Sequence, residues 1–198
     1  MSVRFVTVAV TVLLFLLSCG GDPESALSTV FLSVTADQTE VLADTALWKD
    51  TNNDNTCDTY SVTPTSITLT AKVTKSFSLP EGVQPSPVRI YQADIIYRPQ
   101  NTQTPAIPNK YKSLTVYIEP GDSQDIPLEL VSKSQKEYFI STFNLLRTNP
   151  DLPTFEYYVI IRLHGEEIYT GSRTALEVRL NLQVSDFVSG EETCNINI

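Results

Sequence analysis

The sequence predicts an all-β fold: an antiparallel sandwich of about seven to nine strands with one short helix at about residues 135–147. From Leu27 onward, apolar and polar residues alternate with a period of two, so that one face of each segment is apolar. Turn residues separate these segments about every 10 to 15 residues, which is typical of a sandwich. Apolar residues at helical spacing occur in one segment only.

The first half of the domain carries four predicted strands. Residues 27–35 and 40–49 read as a first strand pair, and a third strand alternates over residues 67–73. The proline-containing stretch 79–87 cannot form a ladder, because proline has no N–H to donate. Residues 88–98 are apolar on both faces, which favours a central strand.

The second half is predicted to hold four strands and the helix. Residues 111–119 and 126–130 flank a Pro-Gly-Asp turn at 120–122. Ser134 and Glu137 fit a capping box for the helix, which should end before Asn149 and Pro150 and cap one end of the sandwich. Residues 155–164 and 176–184 form a final hairpin, the second strand of which has five apolar residues in strict alternation.

The N-terminus has the features of a secretory signal. Arg4 precedes an apolar run of 13 residues at 5–17, which is shorter than the about 20 residues needed to cross a bilayer. The following Leu16-Leu17-Ser18-Cys19 resembles the lipobox of bacterial lipoproteins, in which the cysteine is lipidated and becomes the new N-terminus. The alternative is an ordinary secretory signal that happens to end near a cysteine.

This resemblance implies the domain organisation and the location. Residues 1–18 would be the signal peptide, 19–26 a lipid-anchored linker, 27–188 the sandwich and 189–198 a C-terminal tail. We expect anchoring at Cys19 in the cell envelope. Gly20 after the cysteine, with no aspartate there, resembles lipoproteins forwarded to the outer membrane. In a Gram-negative source this resemblance implies the outer membrane, at its periplasmic face or at the cell surface.

Net charge and cysteine count bear on the binding partners and on the disulfide content of the protein. The chain has 14 basic and 23 acidic residues, a net charge of −9, which disfavours nucleic-acid binding. After lipidation of Cys19, the remaining cysteines are Cys57 and Cys194, and an even number in an oxidising compartment favours a disulfide over two buried thiols.

An acidic stretch is the candidate metal site. The oxygen-bearing side chains of Asp50, Asn52, Asp54 and Asp58 resemble, in their spacing, the calcium loops of EF-hand, dockerin and thrombospondin type-3 repeats. The twelfth position departs from that pattern, because Ser61 replaces the bidentate carboxylate. The alternatives are weak calcium binding, at about 10⁻⁴ to 10⁻³ M, or a solvated loop rich in Asp and Asn.

Catalysis is not expected from this sequence. The single histidine, His164, lies at the predicted tip of the final hairpin, and the motifs GxSxG and HExxH are absent from the sequence. The adjacent acid pairs at 166–167 and 191–192 should point apart in extended chain and be solvated.

Tyrosines are the remaining candidates for binding, either as an exposed face for sugar or protein or as ordinary strand residues with buried rings. Tyr91 and Tyr97 share parity on one strand and should face the same side. The other candidates are Tyr111, Tyr117, Tyr157, Tyr158 and Tyr169.

The pattern over residues 27–187 is similar to immunoglobulin-like and fibronectin-III-like domains of bacterial surface lipoproteins. The chain lacks the disulfide between core strands and the matching tryptophan of antibody domains, so the likeness concerns architecture. The resemblance implies a non-enzymatic module for adhesion, assembly or scaffolding, with a protein partner. The alternatives are a carbohydrate- or calcium-binding module and, third, an envelope hydrolase.

Overall fold

The computed structural model describes residues 28–76, 79, 81–149, 151–187 and 194–195. Within these ranges the fold is mostly strand with one helix, which confirms the predicted all-β class. A small hairpin of residues 47–49 and 59–61 brings the strands to ten, more than the predicted seven to nine. The elements are β1 (Val30–Ala36), β2 (Glu40–Asp44), β3 (Leu47–Lys49), β4 (Thr59–Ser61), β5 (Thr65–Lys75), β6 (Val88–Pro99), β7 (Lys110–Ile118), β8 (Ser123–Val131), α1 (Lys133–Phe143), β9 (Phe155–Glu167) and β10 (Arg173–Ser185).

Two sheets form the sandwich. One has the strand order β1-β5-β8 and the other has the order β2-β10-β9-β6-β7. Paired strands are antiparallel except β2, which runs parallel to β10, so the prediction of a fully antiparallel sandwich is wrong for this pair. A three-stranded sheet of β1, β5 and β8 facing β6, β9 and β10 is the strand arrangement of an immunoglobulin-type sandwich.

The predicted pairing of the first two strands is also wrong, because the chain changes sheets between them. β1 pairs with β5, whereas β2 pairs with β10. The predicted strand 40–49 breaks at Thr45, which donates its N–H to the Ser185 carbonyl and its hydroxyl to the Leu145 carbonyl. Alternation predicts which side chains point inward, but it does not select the partner strand.

The core lies between the inward faces of the two sheets. The alternating apolar residues of β5 are at most 2% exposed, and every second residue of β9 is buried, as alternation predicts. β6 lies between β9 and β7, which confirms it as a central strand. On β10 the apolar face is fully buried only from Leu180 onward, where β2 joins the sheet, while Leu176 and Val178 are half-buried.

The helix begins earlier and ends earlier than predicted. Its capping box is formed by Ser132 and Gln135, each of whose side chains accepts the backbone N–H of the other. The predicted box at Ser134 is therefore wrong by two residues. Asn144 ends the helix in the left-handed conformation at φ 48°, which asparagine tolerates, so Asn149 is not the stop.

A β-bulge in β6 reverses the direction of its side chains. The residues on either side of Tyr91 face consecutive residues of β9, so Tyr91 is an extra residue in the strand. Tyr97 is buried and its hydroxyl donates to the Leu130 carbonyl, whereas the Tyr91 ring lies 6.2 Å from the ring of His164. The prediction that Tyr91 and Tyr97 face the same side is wrong, because the bulge inverts the alternation between them.

Glu167 joins separate segments at one end of the sandwich. Its side chain is buried and accepts hydrogen bonds from the Ser28 hydroxyl, from the Thr29 N–H and hydroxyl, and from the Thr170 hydroxyl. Burial would raise the pKa of Glu167, but these donors outweigh it and hold the pKa below its usual value. Its neighbour Glu166 points the other way to Arg89, so the pair does point apart, but Glu167 is not solvated as predicted.

We expect Glu167→Gln to lower the free energy of unfolding by about 1 to 3 kcal/mol, because charge-assisted hydrogen bonds at a buried site are lost. The folded-state pKa lies below the unfolded value of about 4.3. The contribution is therefore present above that value and is lost as the pH falls through the folded pKa. Urea unfolding at pH 7 and in acid measures it, and the difference from wild type should shrink in acid.

The control for this experiment is Glu166→Gln, at the adjacent and partly exposed carboxylate. Its ion pair with Arg89 lies at the surface, where solvent screens it, and should contribute little to stability. Equal losses for the two variants at pH 7 would contradict the assignment of Glu167 as the residue that joins these segments.

Candidate functional site

The predicted lipidation site lies outside the described residues. Cys19, the signal peptide at 1–18, the linker at 19–26 and the acid pair at 191–192 all fall there. Across the part of the chain that is described, no helix has the length and apolar character to span a membrane. Lipidation at Cys19 therefore stays a prediction.

Cys57 and Cys194 form a disulfide, with Cα atoms 5.2 Å apart. The pairing predicted from the cysteine count is thus present in the structure. Two backbone hydrogen bonds support it: the Cys57 N–H donates to the Asn195 carbonyl, and the Asn195 N–H donates to the Asn55 carbonyl. The bridge spans 137 residues, and closing a loop of that size contributes up to about 5 kcal/mol in the chain-entropy account.

Asp50 organises the loop that follows β3. Its Oδ1 accepts the N–H groups of Asn52 and Asn53 at 3.0 and 2.7 Å, and its Oδ2 accepts that of Asn55 at 2.8 Å. Burial would raise the pKa of Asp50, but these backbone donors lower it below its usual value. Asn53 and Asn55 have φ values of 63° and 65°, so the loop is a defined turn that uses asparagine in the left-handed region.

The other predicted metal ligands are divided between two places. The Asn52 and Asp54 side chains belong to the same turn as Asp50: Asn52 Oδ1 accepts the Asp54 N–H, and Asn52 Nδ2 donates to Asp54 Oδ2. Asp58 lies at the base of the loop, where it accepts the N–H and hydroxyl of Thr51. The structure therefore brings Asp50, Asn52 and Asp54 together and places Asp58 beside Thr51.

The twelfth position of the supposed calcium loop is not part of this turn. Ser61 is the last residue of β4 and pairs with Leu47, two positions along the hairpin from the loop. Among the described residues, no three His, Cys, Asp or Glu side chains converge as a metal-ligand set. The carboxylate oxygens of the turn instead accept hydrogen bonds from its backbone.

The predicted position of His164 at a hairpin tip is wrong. His164 lies within β9, because this strand continues to Glu167. Its Nε2 is 2.8 Å from Asp94 Oδ2, and Gln92 Nε2 donates to the other oxygen of Asp94. Burial would raise the pKa of Asp94, but Gln92 and His164 hold it below its usual value. Within the described chain, no serine, threonine or cysteine forms a hydrogen bond with this imidazole.

The candidate tyrosines divide by burial. Tyr97 and Tyr157 are core residues, and the Tyr157 hydroxyl donates to the Pro105 carbonyl at 2.7 Å. The interpretation as ordinary strand residues is therefore correct for these two. The exposed ones are Tyr111 (72%), Tyr117 (55%), Tyr158 (55%) and Tyr169 (69%).

Two of these tyrosines lie on the outer surface of the five-stranded sheet, on its edge strand β7. Tyr117 is opposite Arg89 and Tyr111 is opposite Asp94. Arg89 Nη2 pairs with Glu166 Oε2 at 3.0 Å. We call the surface formed by Tyr111, Tyr117, Arg89 and Glu166 the contact face.

A concavity of about 670 Å³ opens on the same outer surface, at the other end of β9. Three arginines from three strands line it: Arg98 from β6, Arg162 from β9 and Arg179 from β10. The Glu177 carboxylate lies 3.0 Å from Arg162 and 2.7 Å from Arg179, and the hydrogen bonds from Arg179 and Arg162 lower its pKa. We call this concavity the arginine groove.

The arginine groove adjoins a smaller concavity of about 200 Å³, and both are lined by Tyr158 and Asn181. The smaller one is otherwise lined by polar and acidic side chains and β2 residues: Glu40, Val41, Leu42, Gln100, Glu156 and Gln183. Sequence reasoning missed both concavities. Alternation places these side chains outward, but only the strand register brings residues from different strands together.

The fold is an immunoglobulin-type sandwich, and the outer surface of its larger sheet carries both candidate binding surfaces. No protein-family model matches the chain, and no curated protein has a significant sequence match to it.

Proposed function

We propose that the protein is a membrane-anchored lipoprotein of the bacterial cell envelope. It acts without catalysis, in adhesion, assembly or scaffolding, through contact with a protein partner. The observation that carries this proposal is the contact face, where Tyr111 and Tyr117 are exposed beside ion-paired charges. Tyrosine and arginine are enriched at protein interfaces, and tyrosine gives a large contact area at a low cost in conformational entropy.

The contact face is also preorganised. Arg89 is held by its ion pair with Glu166 and lies opposite Tyr117, and its strand, β6, is a central strand of the sheet. Side chains that are already ordered lose less conformational entropy when a partner binds. These features suit a surface that binds another protein.

The expected anchor is close to the sandwich in sequence. Ser28, which is held by Glu167, follows Cys19 by nine residues, so the intervening chain reaches at most about 30 Å. Lipidation at Cys19 would therefore keep the sandwich near the membrane surface. In a source that has an outer membrane, we propose that membrane as the site.

We predict that Cys19→Ala abolishes lipidation, because the thiol is the group that accepts the lipid. Wild-type protein should carry a lipid adduct by intact mass and partition into the detergent phase, whereas Cys19→Ala should do neither. The control is the double variant Cys57→Ser/Cys194→Ser, which removes the disulfide but leaves Cys19 in place, and so should keep the lipid adduct. Wild-type protein without a lipid adduct would contradict the anchor.

We predict that the contact face has a specific partner in the envelope. With p-azidophenylalanine in place of Tyr111 or Tyr117, illumination of intact cells should give one crosslinked product of discrete mass. The control position is Tyr138, an equally exposed tyrosine on α1 at 54%. Absence of a product from both sites, or the same products from Tyr138, would contradict the proposal.

A second candidate function is weak calcium binding by the loop at 50–58. The observation that favours it is the hydrogen bond from the Asn55 N–H to Asp50 Oδ2, which links the sixth position of the loop to the first. Asn55 also has a positive φ at the position where calcium loops of the EF-hand type have glycine. The disulfide at Cys57 holds this loop to the tail.

If the loop binds calcium, calcium at ten times Kd should stabilise the protein by about 1.4 kcal/mol. The melting temperature should then rise with calcium and fall with EDTA. Asp54→Asn should abolish the shift, because it removes a carboxylate of the turn that holds only local hydrogen bonds. Asp151→Asn, an exposed carboxylate elsewhere, should keep the shift. A melting temperature indifferent to both additions would exclude calcium.

A further inference from the structure

We propose that the arginine groove binds an oligosaccharide that carries one carboxylate at its end, such as a uronic acid followed by neutral sugar rings. Arginines from three strands would hold the carboxylate, Tyr158 would support the adjoining ring, and the smaller concavity would take the neutral rings.

Charge is the first argument. The arginine groove gathers three of the chain's 14 basic residues against one carboxylate, although the whole chain has a net charge of −9. Glu177 already bridges Arg162 and Arg179 and fixes their orientation. Arg98 is exposed and forms no hydrogen bond or ion pair with another described residue. A guanidinium with free N–H groups is suited to bind a carboxylate in a bidentate manner.

Tyr158 is the second argument. It is 55% exposed, although it lies in the middle strand of the sheet, and it stands opposite both Arg98 and Asn181. Its ring thus stands next to a cation and an amide, at the junction of the two concavities. An aromatic ring with an apolar body and a polar tip offers a surface for one face of a sugar ring.

The smaller concavity decides between classes of acidic ligand. Glu40 and Glu156 line it together with Gln100 and Gln183, so it offers acceptors and amide groups to sugar hydroxyls. The same two carboxylates would repel a ligand with acid groups along its length, such as an acidic peptide or a polyuronate. A ligand with a single acid at one end matches the charges of both concavities.

Size is consistent with a short oligosaccharide. The concavities of about 670 and 200 Å³ together have the volume of a small-ligand site, whereas a protein partner needs a much larger surface. The inference does not depend on lipidation or on the contact face, because Tyr111 and Tyr117 lie on β7 and line neither concavity.

Isothermal titration of the full-length protein in detergent tests the proposal. The probe is a trisaccharide of one glucuronic acid on xylobiose, and the matched neutral ligand is xylotriose. We expect the acidic trisaccharide to bind at least about tenfold more tightly, and the difference to shrink with salt. Triglutamate and trigalacturonate, which have three carboxylates each, should bind more weakly than the probe.

Variants locate the site. Arg98→Gln and Tyr158→Ala should each weaken binding of the probe by about tenfold, and Tyr158→Phe should retain it, because the ring is kept. Arg173→Gln is the control, since it removes an exposed arginine of β10 that lies outside both concavities. These side chains are exposed, so the variants should melt as wild type does.

Three outcomes would overturn the proposal. They are equal affinity for xylotriose and the acidic probe, equal loss in Arg173→Gln and Arg98→Gln, and tighter binding of triglutamate than of the probe. The last result would identify the groove as a site for an acidic peptide. Absence of binding by every ligand at millimolar concentration would also overturn it.

Discussion

The position of β9 between β6 and β10 is the constraint on which the rest of the structure depends. Every second residue of β9 points into the core, so the other residues must all lie on the outer surface. Those outward residues include Tyr158, Arg162, His164 and Glu166, and each takes its partners from the neighbouring strands at the same level. A slip of one residue in this register would exchange the two sets, burying charges and exposing the core.

Two buried carboxylates, those of Glu167 and Asp186, hold segments that lie outside the paired strands of the two sheets. Glu167 accepts hydrogen bonds from Ser28 and Thr29, the two residues before β1. Asp186 accepts hydrogen bonds from the Trp48 indole and from the N–H and side chain of Arg147. A buried charge without partners would cost several kcal/mol, so donors from several segments must be in place at once. The sandwich is therefore stabilised by its core between the sheets and by buried carboxylates that hydrogen-bond to several separate segments.

The sequence was sufficient for the long strands, the presence of a single helix and the cysteine pair, because alternation, helical spacing and an even cysteine count are local or countable signals. It did not predict the short strands β3 and β4. The sequence was insufficient wherever the structure depends on contacts between residues that are distant in the chain. Alternation could not assign β2 to β10, and it could not reveal the bulge at Tyr91. Alternation also could not show that Glu167 is buried and hydrogen-bonded whereas Glu166 is partly exposed. The donors to Glu167 come from residues 138 or more positions away and from the hairpin turn. The arginine groove was hidden for the same reason, because its arginines are far apart in sequence.

The two candidate binding surfaces extend along the same sheet and overlap at one level, because Tyr111 of the contact face and Arg162 of the arginine groove both lie opposite Asp94. Tyr158 and Glu167 are nine residues apart on β9, or about 30 Å at about 3.3 Å per residue. The lead-in to β1 is fixed at Glu167, so an anchor at Cys19 would place that end of the sandwich towards the membrane. Arg89, Glu166 and Tyr117 of the contact face lie at this end. Arg98 and Tyr158 of the arginine groove lie at the far end. A membrane-associated partner that contacts Arg89, Glu166 and Tyr117 would therefore leave Arg98 and Tyr158 open to ligands beyond the membrane surface.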